Sequence, residues 1–262
     1  SSLNILHKLV RKQVVAMKPI LHCQLPADMR VGRALPGVQP VVDSWLHVDD
    51  AYAAQMQRRI QLLGTVPNQV LYLDPSSLPA AQELLKEVLK LLPTLGFEIL
   101  NTLIVCPDGR RVDVSVFDNP MMVLGQLMQN DFVLMEKRGS EHVLTGAVLC
   151  FPASWRLHEK AGRSLTDIHV PVEEYNEEIA RRVQRLFDGI KIGRPMWSFN
   201  QLWYEDPELF QPRSSSQPRR VGFDQIDGPY YRTERQTLLR LPVSRAVSFA
   251  IHTYLLRRED IL

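Results

Sequence analysis

The sequence predicts an α+β protein in which amphipathic helices alternate with antiparallel β-hairpins. In several segments, apolar residues recur at steps of three and four, which is the period of a helix with one buried face. Elsewhere, short runs of branched and aromatic residues flank turn sequences, which is typical of hairpins. We find no strand–helix–strand run and no glycine-rich phosphate loop, so a parallel α/β sheet is not expected.

The first predicted helix follows Trp45. We assign its start to Asp49 or Asp50, because a carboxylate suits a helix N-terminus, and its end to Gly64. The apolar residues between these points share one face: Tyr52, Met56, Ile60 and Leu63.

The second predicted helix has clearer boundaries. Ser77 suits the N-cap, Pro79 an early helical position, and Pro93 the end. One apolar face is formed by Leu84, Leu85, Val88, Leu89 and Leu92.

Two hairpins and a helix are predicted next. The first hairpin spans residues 103–116 around a Pro-Asp-Gly turn, where Gly109 tolerates a positive φ. A Met- and Leu-rich helix is predicted from Asp118 to about Asn130. The second hairpin pairs residues 132–137 with residues 142–151.

The last hundred residues predict a helix, a loop and two strands. The helix spans residues 171–188, with acidic residues early and arginines late, which complements the helix dipole. Residues 211–229 have the composition of a loop, and we expect residues 213–227 to form a mobile lid. The strands are predicted at residues 237–241 and 246–256. We expect the strands around Val133, Val148, Leu239 and Phe249 to share one antiparallel sheet.

Composition and motifs exclude several function classes. The net charge of +2 argues against nucleic-acid binding, and no stretch approaches the roughly 20 apolar residues of a membrane span. The three cysteines show no CxxC or CxxCH spacing, which disfavours disulfides, zinc, iron–sulfur centres and covalent haem, and favours the reducing cytoplasm. Hydrolase and kinase motifs are absent.

Several segments in a fixed order resemble the haem-dependent oxidative N-demethylase alpha-subunit-like family. The resemblance covers the chain from about Gly37 onward. The densest segments are residues 150–155 (Cys-Phe-Pro-Ala-Ser-Trp), 165–172 (Leu-Thr-Asp-Ile-His-Val-Pro-Val) and 232–241 (Arg-Thr-Glu-Arg-Gln-Thr-Leu-Leu-Arg-Leu). Weaker ones lie at residues 45–52, 81–85 and 129–135.

The resemblance implies a PAS-like antiparallel sheet of about five strands in residues 37–262, with helices enclosing a pocket for haem b. Residues 1–36 would form an N-terminal arm that wraps the domain with helical structure. The implied reaction is oxidative removal of a methyl group from a small secondary amine, such as dimethylamine, with O2. Electrons would come from reductase partners that carry flavin and an iron–sulfur centre and draw on NADPH. An oligomer is also possible.

One segment departs from the family pattern. Where the family usually has Trp-Arg-x-Asn-Trp, this chain has Trp197-Ser198-Phe199-Asn200-Gln201. Substrate, partner docking or catalysis could therefore differ here.

Histidine is the first candidate for the iron ligand, because neutral imidazole is the usual axial donor in oxygen-handling haem proteins. Of seven histidines, His169 lies in the densest family segment, between Ile168 and Pro171, and His158 is the alternative. Cys150 is a possible thiolate ligand, but a buried, inert thiol is the expected reading.

Cations and carboxylates supply the other candidate site residues. The haem propionates could be bound by Lys160, Arg163, Arg235 or Arg240, with Trp155 in the same cofactor site. Glu234, Asp131 and Asn200 are the candidate catalytic residues, since a carboxylate in an apolar pocket attracts an ammonium group. Trp155 or Trp197 could add a cation–π contact.

Two other functions stay open from the sequence. A haem-binding sensor or small-molecule-binding module would share the fold but lack catalysis. A haem-free interaction subunit of an oxidase complex is the third possibility.

Overall fold

The computed structural model describes residues 18–29, 37–169, 177–214, 216 and 228–261, with side chains of 168–169 excepted. Within these ranges the protein is α+β, with an eight-stranded antiparallel sheet, a separate three-stranded sheet and seven α-helices. The helices are α1 (Tyr52–Thr65), α2 (Pro67–Val70), α3 (Leu78–Leu91), α4 (Pro120–Leu127), α5 (Leu157–Lys160), α6 (Leu165–His169) and α7 (Glu177–Gly189).

The large sheet is built around one long hairpin. Its strand order is β1 (Gln39–Pro40), β8 (Met196–Phe199), β10 (Tyr230–Arg240), β11 (Val247–Arg257), β6 (Asp131–Arg138), β7 (Glu141–Val148) and β2 (Leu71–Leu73). The strand β9 (Leu202–Tyr204) also pairs with β10. The small sheet contains β3 (Glu98–Leu100), β4 (Leu103–Val105) and β5 (Arg111–Asp113). The four strands predicted to share one sheet do so.

Both faces of the large sheet are covered, because successive side chains of a strand point to opposite faces. On β6, Phe132 and Leu134 belong to the core formed with α1, α3 and α4. Val133 and Met135 belong to a second core, which includes Phe187 of α7. We call these the core face and the cavity face of the sheet.

The predicted helices α1 and α3 form, and α3 has the predicted N-cap position, Ser77, whereas α1 begins later than predicted. Ala51, not Asp49 or Asp50, is the N-cap of α1. Ser77 precedes α3, yet its hydroxyl donates to Glu136 instead of capping the helix. In both cases, the side chain that the local sequence would assign to the cap forms a hydrogen bond with a residue distant in the chain.

The segments around the first hairpin were predicted too long. Asp113 accepts the backbone N–H of Ser115, which turns residues 114–116 into a 3-10 turn and ends the strand. The helix predicted over residues 118–130 is shorter, because Asn119 caps it at Pro120 and β6 already begins at Asp131.

The final hairpin was predicted too short. The strand β10 begins at Tyr230, seven residues before the predicted start. Its first half carries Arg232 and Glu234, which are charged yet buried, so hydrophobicity did not reveal it. The short strands β8 and β9 were not predicted.

Parts of other predictions fall outside the described residues. These include residues 217–227 of the predicted lid and residues 170–176 of the predicted helix at 171–188. Of the predicted N-terminal arm, residues 18–29 are described, and they contain a single 3-10 turn at Ala27–Met29 rather than an α-helix. There, His22 donates its backbone N–H to Leu255 of β11, 2.8 Å away. No described helix is long and apolar enough to cross a membrane.

Candidate functional site

A cavity of about 340 Å³ lies between the cavity face of the sheet and the helices α5, α6 and α7. This volume falls in the range of small-molecule sites. Most of its walls are apolar, with Val133, Met135, Leu144, Leu238, Phe249 and Ile251 from the strands and Leu165, Val183, Leu186 and Phe187 from the helices. The local sequence builds this wall by strand alternation and by the apolar stripe of α7.

One part of the cavity wall is polar. Glu234 and Gln236 of β10 point into it, and Ser198 of β8 lies opposite Gln236 in the strand register. Glu234 is only 6% exposed. A buried carboxylate requires hydrogen-bond donors, because burial removes its water.

Asn200 and Arg232 supply most of these donors. Asn200 donates its side-chain N–H to Oε2 of Glu234 at 3.0 Å and accepts the backbone N–H of Glu234 at 2.8 Å. Arg232 lies 3.4 Å from Oε1 of Glu234 and also donates to the carbonyl oxygens of Leu209 and Phe151. The structure thus brings together Glu234 and Asn200, two predicted catalytic residues. Arg232 was not predicted, although its position two residues before Glu234 on a strand implies a shared face.

A cation lies at another part of the wall. Lys160 of α5 and Trp155 both line the cavity, and the ammonium nitrogen lies 5.0 Å from the indole centroid. Burial lowers the pKa of Lys160, while the nearby Glu159 raises it. The ammonium group of Lys160 can bind an anionic group of a bound molecule through charge, and the indole ring of Trp155 offers it an apolar wall.

The candidate iron ligands lie near the cavity, but their side chains are not shown lining it. Leu165, the first residue of α6, lines the cavity, and His169 is the last residue of that helix. The side chain of His169 lies outside the described residues. His158 is exposed on α5.

Four other predicted site residues lie elsewhere. Asp131 forms a buried ion pair with Arg59 at 2.6 Å and accepts the backbone N–H groups of residues 150 and 151. Arg235 points to the core face, over the ring of Trp197 at 3.8 Å. Arg163 is exposed.

Arg240 ties the end of α7 to the sheet. Its guanidinium donates to the carbonyl oxygens of Ile190, Phe187 and Arg245. It therefore supports the cavity wall from behind and does not line it.

Cys150 is fully buried on the core face of the sheet, opposite the cavity. Burial raises the pKa of its thiol to about 12, with the nearby Arg59 opposing this shift. The thiol is therefore protonated near neutral pH, as expected for an inert core cysteine.

A second polar cluster lies on the core face, and the sequence did not reveal it. One ring nitrogen each of His22 and His252 and one carboxylate oxygen of Asp49 all lie within 4.8 Å of one another. Both imidazole Nε2 atoms contact Oδ2 of Asp49, at 3.0 Å from His22 and 2.7 Å from His252. Burial opposes ionisation of Asp49, but these two hydrogen bonds hold its pKa well below the usual range.

The hydrogen bonds argue against a metal ion in this cluster. The backbone N–H of Leu255 donates to Nδ1 of His22, so Nε2 carries the proton of the neutral ring. A protonated Nε2 donates to Asp49 and has no lone pair for a metal. The cluster is therefore a hydrogen-bonded link between residues 18–29, the segment before α1 and strand β11.

One comparison with known proteins bears on the cavity. A family model described as haem-dependent oxidative N-demethylase, alpha subunit-like, matches residues 37–262. The matched range includes every residue that lines the cavity.

Proposed function

The chain belongs to the haem-dependent oxidative N-demethylase alpha-subunit-like family, and we propose that it binds haem b non-covalently and removes a methyl group from a small secondary amine. The observation that carries this proposal is the apolar cavity with the carboxylate of Glu234 in its wall. Such a site can hold a flat apolar group beside a small ammonium ion.

The fold supports a PAS-like interpretation of the cavity. Five of the strands, β6, β7, β8, β10 and β11, form the continuous order β7–β6–β11–β10–β8. In the chain, the helices α5, α6 and α7 lie between β7 and β8, and they cover one face of these five strands. This strand order and the position of the helices support our proposal of a PAS-like fold around the cavity.

The described residues fit a haem group in two respects. The strand and helix side chains offer apolar walls to the macrocycle, and the aromatic rings of Trp155, Phe187 and Phe249 are among them. Lys160, partly buried over Trp155, offers a cation to a propionate.

We propose that His169 would bind the haem iron, because α6 starts at the cavity wall and ends at this residue. Replacing His169 with Ala should empty the haem site or leave iron open to added imidazole, as judged from the Soret band. His158→Ala is the matched control and should leave the spectrum unchanged. An unaltered spectrum of His169→Ala would refute the ligand assignment and leave the family membership intact.

The protein residues have defined parts in the reaction. Haem, when bound, supplies the activation of O2 for oxidation of the methyl carbon. Glu234 binds the ammonium N–H groups, and Asn200 and Arg232 hold its two carboxylate oxygens in place. The apolar walls exclude water and strengthen this ion contact. The reaction consumes O2, two electrons and two protons and yields formaldehyde, the demethylated amine and water.

The electrons would come from reductase subunits that carry flavin and an iron–sulfur centre and draw on NADPH. We place the protein in the cytoplasm, where the free cysteines Cys23, Cys106 and Cys150 would stay reduced.

The test is haem loading followed by turnover. We expect a Soret band after expression with ample haem, and amine-dependent O2 consumption with formaldehyde release when an electron donor is supplied. Glu234→Gln should keep the Soret band and lower kcat/KM by about 10–100-fold, because a hydrogen bond to a charged group contributes about 1.5–3 kcal/mol. A purified protein without haem would overturn the proposal, and haem binding without amine-dependent turnover would favour a sensor.

A further inference from the structure

We infer that the amine substrate carries a hydroxyl group, and that Ser198 and Gln236 bind it beside Glu234. This inference rests on the proposed function and names the substrate class more narrowly, as an N-methylated amino alcohol. It begins from two polar side chains in the cavity wall whose oxygen atoms make no hydrogen bond to the described residues.

Gln236 has a defined amide orientation. Its Nε2 lies 3.4 Å from Oε2 of Glu234, so its carbonyl oxygen is directed elsewhere. Among the described residues, no hydrogen bond engages that oxygen or the hydroxyl of Ser198, although both side chains line the cavity. Other polar side chains at this wall, such as Glu234, already have protein partners.

The two residues together suit a hydroxyl group. The Gln236 oxygen can only accept a hydrogen bond, whereas the Ser198 hydroxyl can donate or accept one. A substrate hydroxyl both donates and accepts, so one hydroxyl satisfies both side chains. A substrate carboxylate would be repelled by Glu234 and could not donate to Gln236.

The strand register sets the distance from the ammonium site. Ser198 and Gln236 are directly opposite on β8 and β10, and Glu234 lies two residues along β10 on the same face. Ser198 and Glu234 are therefore diagonal neighbours, which lie about 7–8 Å apart, with their Cβ atoms somewhat closer. Side chains that converge on one ligand from this separation can bind an ammonium group and a hydroxyl group joined by about two carbon atoms. N-methylaminoethanol has this spacing.

The two polar side chains also favour an amino alcohol over an alkyl amine of the same size. A purely alkyl amine would place a methylene group against Ser198 and Gln236 and leave both oxygens without a partner. Polar groups that a bound ligand leaves unpaired discriminate against such an analogue.

The experiment compares two amines of similar size in the haem-loaded protein. N-methylaminoethanol and N-methylpropylamine differ in one hydroxyl, and calorimetry measures their dissociation constants without turnover. We expect the amino alcohol to bind about tenfold more tightly. Ser198→Ala should reduce this preference to about twofold, because it weakens binding of the amino alcohol and removes an oxygen that N-methylpropylamine leaves without a partner.

Ser248→Ala is the matched control. Ser248 is a buried serine of β11 on the core face, and its hydroxyl has no partner within the part of the chain that the structure describes. This variant should keep the tenfold preference. Equal affinities of the two amines in the wild-type protein, or an unchanged preference in Ser198→Ala, would overturn the inference while the proposed demethylase function stood. Binding of neither amine would overturn both.

Discussion

Buried polar residues in this protein divide into those that hold the fold and those that face the cavity. Arg59, Asp131 and Gln55 fall in the first group, since their partners are backbone atoms, each other or the side chain of Gln129. Glu234 falls in the second group, because it lines the cavity in addition to accepting a hydrogen bond from Asn200. Sequence reasoning could pick out both Asp131 and Glu234 as carboxylates in family segments. It could not separate them, since that depends on which side of a strand meets which helix.

His47 gives a prediction about pH. Burial, together with the nearby charges of Arg235 and His252, lowers its pKa to about 4 from an ordinary value of 6.5. Between these values the unfolded chain binds the proton and the folded chain does not, so stability is lost as the pH falls from about 6.5 to 4. The loss from this residue is at most about 3 kcal/mol, at 1.36 kcal/mol per pKa unit.

Urea unfolding at several pH values measures this effect. His47→Gln should flatten the dependence between pH 4 and 6.5, and His158→Gln, at an exposed position, should not. An identical slope for His47→Gln and the wild-type protein would contradict the assignment.

Elements of regular structure were predictable where one periodicity ran for many residues. The apolar stripes of α1 and α3 and the hairpin of β6 and β7 were found from sequence for this reason. The strand β8 has only four residues and alternates Met196 and Ser198 with Trp197 and Phe199, which is too short a pattern to detect. Part of the polar cavity wall was therefore not predictable, because Ser198 can be assigned to it only once β8 is placed beside β10.

Arg240 gives a prediction about α7. Its guanidinium donates hydrogen bonds to carbonyl oxygens at the end of this helix and in the turn before β11. This arrangement requires the forked geometry of arginine. Arg240→Leu should destabilise the fold by about 2–4 kcal/mol, because buried carbonyl groups lose their donors. Amide exchange should quicken first in the last turns of α7, and haem should dissociate faster.

The control for this change is Arg245→Leu. Arg245 is exposed and contributes only its backbone carbonyl to the contact. Equal protection of α7 in the Arg240 and Arg245 variants would show that the guanidinium does not anchor the helix.

At the scale of the whole molecule, the cavity is part of the core. Its lining residues Val133, Leu144, Leu165, Phe187 and Leu238 belong to the same apolar cluster that packs α7 on the sheet. A ligand that fills this space binds the folded state alone, so it stabilises the protein through mass action.

Haem removal should therefore lower Tm. At a free haem concentration of about 100 times Kd, linkage predicts about 2.7 kcal/mol of stabilisation, or roughly 5–10 °C for a domain of this size. Differential scanning fluorimetry of apo and loaded protein tests this. A Soret band without a change in Tm would show that haem binds the unfolded chain as well as the folded protein, which contradicts a specific site in the cavity.

The alternation of β10 limits how this protein can diversify during evolution. Glu234, Gln236 and Leu238 face the cavity, while Arg235 and Thr237 face the opposite core. A single-residue insertion or deletion in this strand would exchange the two sets and place Arg235 where Glu234 now lies. New substrate preferences can thus arise through point substitutions on β8 and β10, whereas length changes are tolerated only in the loops beyond the sheet.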